Sequence, residues 1–260
     1  ENPITKEAFF TSACIAKTNV HLPKSGRIDV RAKMAFGKGV MSAISMKPVG
    51  DTTPDNMADA LELAVVNGST TEKVNATIRY TDNEQKERHM SDWNITGDEK
   101  DYARGFHTYT LIREGKKIWY YVDGKMFFHV SEDLLYPNSF RFEDDFSLCF
   151  HISVGSDWSG VPDPLITSFP QKMEIAYVKV YEKNHSDVTL SQKEVEFPDL
   201  NDYSNLFWND EFEGEGISEN YWTHETGDYW YNNEIQAYTS DSTNSYIKNG
   251  KLVINAMHTP

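Results

Sequence analysis

Cysteine is scarce in this chain, whose 260 residues include only Cys14 and Cys149. Two thiols cannot build the framework of several disulfides that holds a small secreted scaffold together. They leave three alternatives: one bridge, two buried thiols that pack as small hydrophobic groups, or two reactive thiols. Long apolar runs are missing as well, since none approaches the roughly 18–20 residues that a membrane span needs.

Positive charge is also in short supply. The chain has 25 Lys and Arg residues against 40 Asp and Glu residues, which gives a net charge of −15. Such a surface repels phosphate backbones and anionic lipid headgroups, so we expect neither a nucleic-acid partner nor a membrane partner. Hydrophobic residues make up 39% and aromatic residues 13% of the chain, enough for a sizeable core. These values favour a soluble monomer that handles a neutral ligand.

Helical periodicity is nearly absent, and short runs that alternate with a period of two take its place. Gly, Pro, Asn and Asp separate these runs, and about a dozen of them predict an all-β protein of two antiparallel sheets, a sandwich or jelly roll. Asp123-Gly124 and Asn249-Gly250 predict two tight hairpins. The predicted strands are residues 8–16, 26–34, 40–46, 60–66, 73–80, 107–113, 117–122, 126–130, 146–154, 175–182, 244–248 and 251–256.

Alternation also assigns faces to three of these strands. In 146–154 the apolar residues Phe146, Leu148, Phe150 and Ile152 oppose Ser147, Cys149, His151 and Ser153. In 73–80 the apolar residues oppose Asn75, Thr77 and Arg79, and in 40–46 one face carries Met41, Ala43 and Ser45. Strands buried on one face and wetted on the other predict the concave sheet of a cleft.

Several motifs resemble glycoside hydrolase family 16, the laminarinase-like β-glucanases. Residues 207–212 read Phe-Trp-Asn-Asp-Glu-Phe, and Tyr-Trp-Tyr-Asn-Asn-Glu-Ile-Gln-Ala-Tyr-Thr follows at 229–239. Residues 9–182 contain Gly-Arg-Ile-Asp-Val-Arg-Ala-Lys, Tyr-Val-Asp-Gly-Lys, Val-Gly-Ser-Asp-Trp-Ser-Gly and Tyr-Val-Lys-Val-Tyr-Glu. The resemblance implies a concanavalin A-like β-sandwich jelly roll with a concave cleft, an extracellular location, and a carbohydrate ligand.

The two groups of motifs stand in the reverse of the family's order. Residues 1–182 resemble the family's C-terminal part and 207–260 its N-terminal part, with 183–206 as a polar joining linker. The resemblance therefore implies one circularly permuted domain over 1–260, or a piece cut across two tandem modules. Domain termini often lie close together, which makes permutation tolerable.

The family's catalytic strand has the pattern Glu-x-Asp-x-x-Glu, with a nucleophile first and an acid/base last. Retaining hydrolysis needs these two carboxyl groups about 5–5.5 Å apart. Alignment on Asn67-Gly68 places Ala60 at the nucleophile, Glu62 at the central Asp and Val65 at the acid/base. The resemblance thus implies that both working carboxylates are replaced. Asp59 and Glu62 are three residues apart, so in a regular strand they face opposite sides.

Other cleft positions differ from the family pattern too. The segment 41–45 replaces a run with two sugar-stacking tryptophans, Cys14 replaces an arginine, and His151 replaces an asparagine. The predicted substrate-binding residues are Trp158, Trp230, Asn232, Glu62, Asn75, Arg79, Met41 and Ser45. No cofactor is required. The family often carries calcium on the convex side, where Glu211 matches one ligand and Ala176 replaces another, so a full set of six to eight oxygens is not expected.

Three functions remain open at this stage. The first is a pseudoenzyme that binds β-glucan without hydrolysing it. The second is a repurposed or engineered cleft that binds or transforms a small molecule, with Cys14 or Cys149 and His151 as a nucleophile–base pair. The third is residual β-glucan hydrolysis by Glu62 alone, although one carboxylate cannot serve both steps of the retaining reaction.

Overall fold

A computed structural model describes residues 9–17, 23, 25–49, 59–95, 101–143, 145–163, 165–184, 197–228 and 233–259. These ranges contain eighteen strands, a short α-helix α1 (Glu132–Leu135) and a 3-10 turn at Leu200–Asp202. The strands are β1 (Phe10–Ser12), β2 (Cys14–Lys17), β3 (Gly26–Lys33), β4 (Val40–Pro48), β5 (Leu61–Asn67), β6 (Lys73–Thr81), β7 (Glu87–Ile95), β8 (His107–Glu114), β9 (Lys117–Val122), β10 (Lys125–Ser131), β11 (Phe146–Val154), β12 (Gln171–Glu182), β13 (Asn205–Asp210), β14 (Trp222–Glu225), β15 (Gly227–Asp228), β16 (Gln236–Tyr238), β17 (Ser245–Ile247) and β18 (Leu252–His258).

The strands form two sheets, which confirms the predicted all-β jelly-roll architecture. Seven strands in the order β14-β2-β11-β4-β5-β6-β7 form what we call the cleft sheet. Eleven strands form the back sheet, with the path β10-β9-β8-β3-β12-β18-β1-β16-β15 and with β13 and β17 beside β12 and β18. Pairing is antiparallel except between β1 and β16, which run parallel.

The core lies between the sheets, where the alternating residues of both sheets meet. Phe146, Leu148, Phe150 and Ile152 on β11 are fully buried there, as their spacing predicts. Their alternates on the same strand face away from the core. The faces predicted for β4, β6 and β11 are therefore correct, and they leave one surface of the cleft sheet free for a site.

Both predicted hairpins are present. Asp123 and Gly124 join β9 to β10 with φ values of 48° and 77°, the left-handed pair that a two-residue turn requires. Asn249 and Gly250 have φ values of 53° and 65° and join β17 to β18. In each turn the residue pair has the conformation that Asn, Asp and Gly adopt at least cost.

Two features depart from the sequence-based expectation. β7 and the short strands β14–β16 were not predicted, because they are polar or only two to four residues long. The predicted linker is structured where it is described: Tyr203 is buried against Trp119 and Tyr121 of the back sheet.

Among the described residues, no helix is long and apolar enough to cross a membrane.

Candidate binding cleft

A cleft of about 300 Å³ lies on the face of the cleft sheet that points away from the core. Its floor is built from the outward residues of neighbouring strands, and the loop 156–158 and residues 234 and 238 close one side. The lining residues are Cys14, Met41, Ala43, Ser45, Lys47, Glu62, Val65, Asn75, Thr77, Arg79, His89, Ser91, Trp93, His151, Ser156, Asp157, Trp158, Glu234 and Tyr238.

Strand register arranges the floor in transverse rows. Because paired residues of adjacent strands share a face, each row crosses the sheet at one level. One row reads Glu225, Cys14, His151, Ala43, Val65, Asn75, Trp93. The next reads Thr223, Ala16, Cys149, Ser45, Glu62, Thr77, Ser91. Cysteine and histidine therefore lie at one end of the floor and tryptophan at the other.

The strand β5 carries a β-bulge between Glu62 and Val65, seen as a register shift against both β4 and β6. The bulge inserts one extra residue, so two side chains three positions apart face the same side. Glu62 and Val65 both line the cleft as a result. The rule that residues three apart face opposite sides, which we applied to Asp59 and Glu62, assumes a regular strand and does not extend to Glu62 and Val65 across the bulge.

Ala60 and Asp59, which come just before β5, do not line the cleft. Ala60 is buried, and its carbonyl oxygen accepts a hydrogen bond of 2.9 Å from the Arg79 amide. Asp59 has a φ of 62°, and its carboxylate faces the Thr81 amide at 3.4 Å. Asp59 therefore supplies no second carboxylate to the cleft.

Glu62 is held by a guanidinium. Arg79 Nε donates to Glu62 Oε1 at 3.1 Å, and Arg79 Nη1 lies 3.3 Å from Glu87 Oε1. The Glu62 side chain is 12% exposed and that of Arg79 is 28% exposed, so the pair is partly shielded from water. A carboxylate in this arrangement neutralises a neighbouring arginine and is fixed in position by it.

Two tryptophans stand at the far end of the floor. The rings of Trp93 on β7 and Trp158 have centroids 6.0 Å apart at an angle of 41°, and each residue is 41% exposed. Asn67 Nδ2 donates to the Trp158 carbonyl at 3.0 Å, and the Ser156 and Ser159 hydroxyls are 2.8 Å apart in the same loop. These contacts hold the loop that carries Trp158, and the two exposed ring faces form an aromatic wall.

The remaining predicted substrate-binding residues have different surroundings. Asn75 donates to the Asp92 carbonyl at 3.1 Å and accepts from Thr77 Oγ1 at 2.5 Å. The Ser45 hydroxyl is buried and has no hydrogen-bond partner among the described residues, and Met41 lines the floor from the same face of β4. Trp230 and Asn232 lie outside the described residues. Sequence reasoning missed Trp93, His89 and Ser91, because their strand has no apolar face.

The two cysteines are free, buried thiols at the other end of the floor. Cys14 Sγ lies 2.9 Å from Cys149 Sγ and 3.5 Å from Glu225 Oε2, which also contacts Lys47 Nζ at 3.3 Å. Hydrogen bonding to Cys149 and burial raise the pKa of Cys14. Hydrogen bonds from Cys14 and His151 lower the pKa of Cys149 to about 6 against the effect of burial.

His151 is the third member of this cluster, directly opposite Cys14 across β2 and β11. Burial works to lower the pKa of His151, but the hydrogen bond and charge of Cys149 and the charge of Glu234 raise it. The ring of Tyr238 meets the His151 ring edge-on at 6.0 Å. The cluster thus combines a thiolate-prone cysteine with an imidazole that readily takes a proton.

Glu234 lies above this cluster and is buried. Its Oε2 accepts hydrogen bonds from Gln236 Nε2 at 2.7 Å and from the Tyr238 hydroxyl at 3.2 Å. Burial raises the pKa of Glu234, and the hydrogen bonds and His151 counteract that effect. Glu234 is therefore a second carboxylate in the cleft, but it comes from the loop before β16 and not from the strand that carries Glu62.

The predicted calcium ligand lies elsewhere. Glu211 forms an ion pair of 2.8 Å with Lys179 Nζ on the back sheet. Calcium needs six to eight oxygen ligands, and Glu211 is paired here with an ammonium group. These residues do not fit a calcium site, and no step of the function proposed below involves calcium.

Two curated proteins are similar to this chain in sequence. A curated relative, the glucan endo-1,3-beta-glucosidase A1 of Niallia circulans, is 29% identical over 169 residues, which cover 62% of this chain and 24% of that protein. The beta-glucanase of Rhodothermus marinus is 26% identical over 60% of this chain and 57% of its own length. The chain thus spans about a quarter of the length of the first relative and somewhat over half of the length of the second.

Solved structures agree on the fold. The laminarinase catalytic domain from Thermotoga maritima superposes with a TM-score of 0.55 and 23% identity, covering 66% of this chain and 77% of that one. The model of the glycosyl hydrolases family 16 matches residues 9–179, about two thirds of the chain. The chain therefore belongs to glycosyl hydrolase family 16.

Proposed function

We propose that this protein binds a β-glucan-type carbohydrate in its cleft without hydrolysing it. The proposal rests on the part of the cleft that β5 lines, where the bulge turns both Glu62 and Val65 towards the cleft. Glu62 is bound by Arg79, Val65 is apolar, and Ala60 brings no carboxylate. A retaining glycosidase needs two free carboxyl groups at about 5–5.5 Å, and this strand presents one that is already paired.

The aromatic wall supports a sugar as the ligand. Each face of a pyranose ring carries C–H groups that pack on an indole, while its hydroxyls point outward to polar groups. Trp93 and Trp158 offer the indole faces, and Ser45, Asn75 and Asp157 lie within the same cleft. The names of the two curated relatives, a glucan endo-1,3-beta-glucosidase and a beta-glucanase, favour β-glucan as the class of sugar.

Calorimetric titration with laminari-oligosaccharides tests the proposal. We expect saturable heat from β-1,3-linked oligomers and much weaker heat from α-linked malto-oligosaccharides of equal length, because the names of the two curated relatives favour a β-linked glucan. An absence of heat with laminari-oligosaccharides at millimolar concentration contradicts carbohydrate binding.

We also infer that the chain is a circularly permuted member of its family. The order of the motifs is reversed, and two strand pairings fit this inference: His258 is paired with Phe10, and Glu182 with Asn205. The Thr259 amide donates to the Phe9 carbonyl at 2.7 Å, so these two segments meet. A variant in which 197–259 precedes 9–184 keeps the buried Tyr203 and should fold with a similar melting temperature, and its failure to fold contradicts the inference.

A second candidate function is chemistry on a small molecule at the thiols. The observation that favours it is the contact of 2.9 Å between Cys14 Sγ and Cys149 Sγ beside His151, since sugar binding requires no such cluster. Iodoacetamide labelling at neutral pH tests it. Labelling much faster than that of a free thiol supports an activated thiolate, and labelling at the rate of a free thiol or slower contradicts it.

A further inference from the structure

The cluster at the cysteine end of the floor has the composition of a metal site. Cys14 Sγ, Cys149 Sγ and a ring nitrogen of His151 all lie within 4.8 Å of one another. Two thiolates and one imidazole are the donors that zinc and similar soft or borderline ions prefer. Three protein donors with a fourth position left to another ligand is an arrangement that zinc adopts in reactive sites.

Strand register brings the three donors together without any loop. Cys14 on β2 pairs directly with His151 on β11, and Cys149 lies two residues before His151 on the same face. The donors are thus fixed by two adjacent backbone ladders, which hold their positions more firmly than loops do. A rigid site of this kind needs only small side-chain rotations to receive an ion.

From the observed distance between the two sulfurs, binding a zinc ion and forming a disulfide require shifts of similar size. A tetrahedral zinc ion with Zn–S bonds of about 2.3 Å places its sulfurs roughly 3.8 Å apart. A disulfide places them about 2.05 Å apart. The observed 2.9 Å lies between these values. His151 favours the metal, because a disulfide uses no third donor, whereas a ring nitrogen of this residue lies within 4.8 Å of both sulfurs.

The surroundings of the cluster also suit a metal. Ligand histidines are commonly held by a nearby carboxylate, and the charge of the buried Glu234 acts on His151. Glu225 Oε2 lies 3.5 Å from Cys14 Sγ and 3.3 Å from Lys47 Nζ, so this carboxylate keeps an ammonium partner when the thiol loses its proton. Cys14 and His151 line the cleft, so the fourth position opens towards it.

We propose that Cys14, Cys149 and His151 bind one thiophilic divalent ion of the zinc class, with its fourth coordination position open to the cleft. Binding forms two metal–sulfur bonds and one metal–nitrogen bond, and the cluster gives up to solvent the protons that its two sulfurs and the bound ring nitrogen still carry. A water molecule or an oxygen atom of a cleft ligand takes the fourth position. The proposal is independent of carbohydrate binding, because no sugar contact is needed to assemble the three donors.

Titration of the reduced, metal-free protein with Co²⁺ tests the site. We expect one Co²⁺ per chain, with the visible bands of a tetrahedral site and the near-ultraviolet charge-transfer band of cobalt–thiolate bonds, all removed by Zn²⁺. C14S and C149S should weaken binding by at least about a hundredfold and His151→Gln by at least about tenfold. His129→Gln, on the exposed face of β10, is the matched control and should bind as the unmodified protein does.

The outcomes separate the alternatives. A protein that binds no Co²⁺ after reduction, or binds it without a thiolate band, overturns the proposal, as does undiminished binding by both serine variants. If the variants do not fold, X-ray absorption of the zinc-loaded unmodified protein decides: two sulfur neighbours support the site, and a shell of oxygen and nitrogen alone overturns it. All measurements are made without sugar, so a failure here is distinct from a failure of glucan binding.

Discussion

Arg79 Nε donates to Glu62 Oε1 at 3.1 Å, and this contact joins the central carboxylate of β5 to the neighbouring strand β6. The carboxylate is thereby a structural partner of the arginine, at the position that the family resemblance aligns with the central Asp of the catalytic pattern. Arg79 also reaches Glu87 on β7, so this one side chain links three strands of the cleft sheet. The proposal that the cleft binds sugar without hydrolysing it rests on this same strand, whose cleft-facing carboxylate is held in this ion pair.

The coupling between Glu62 and Arg79 should be measurable by a double-mutant cycle with Glu62→Gln and Arg79→Gln. We expect a coupling free energy of about 1–2 kcal/mol in urea unfolding, because both side chains are largely withdrawn from water. The control pair is Lys86–Glu84, whose side chains are 62% and 69% exposed. It should couple by less than about 0.5 kcal/mol. Equal coupling in the two pairs contradicts a shielded role for Glu62.

The aromatic wall should dominate the affinity for sugar. Trp93→Ala and Trp158→Ala should each weaken binding of a laminari-oligosaccharide about tenfold or more in calorimetry, which corresponds to about 1.4 kcal/mol. Tyr136→Ala, at a residue that is 84% exposed and outside the cleft, should leave the affinity unchanged. Unaltered affinity in both tryptophan variants places the sugar somewhere other than the wall.

Lys17 should make stability depend on pH. Burial lowers the pKa of Lys17 from 10.5 to about 7, against the opposing charge of Asp210, and its Nζ lies 3.8 Å over the Trp208 ring. Between these two pH values the unfolded chain binds a proton at Lys17 that the folded chain does not. Stability therefore rises as pH increases from about 7 towards 10.5, and below pH 7 the full cost of the buried charge is present.

Lys17→Met removes that cost, so thermal melting should show a gain in stability that is largest below pH 7 and shrinks as pH rises towards 10.5. The control is Lys125→Met at the exposed first residue of β10, which should shift the melting temperature equally at both ends of this range. A gain from Lys17→Met that does not change with pH shows that the ammonium is not buried at a cost.

The fold was largely predictable from sequence because its signals are local. Period-two alternation placed eleven of the strands within a few residues, and the Asp-Gly and Asn-Gly pairs located two turns. β7 was not predicted because residues 87–95 are almost entirely exposed. Neither face of this strand is apolar, so its sequence shows no alternation of apolar and polar residues. Its aromatic wall residue, Trp93, was signalled only by a tryptophan standing in a polar run.

The site was less predictable, because it depends on register across strands. The resemblance pointed to Glu62 and Val65, but their common orientation comes from a bulge that no alternation rule contains. Cys14 and Cys149 are 135 residues apart, and their contact follows from the pairing of β2 with β11. The ion pair of Glu62 with Arg79 likewise joins residues whose meeting depends on the register of β5 against β6.

The most direct test of the central claim is product analysis under conditions of binding. The protein is incubated with laminarihexaose at a concentration that saturates the cleft in calorimetry, and the sugar is then examined by mass spectrometry, with Glu62→Gln in parallel. If the cleft binds sugar without hydrolysing it, we predict that the hexaose is bound by both proteins and recovered intact from both. Shorter oligosaccharides formed by the unmodified protein, and absent with Glu62→Gln, contradict it.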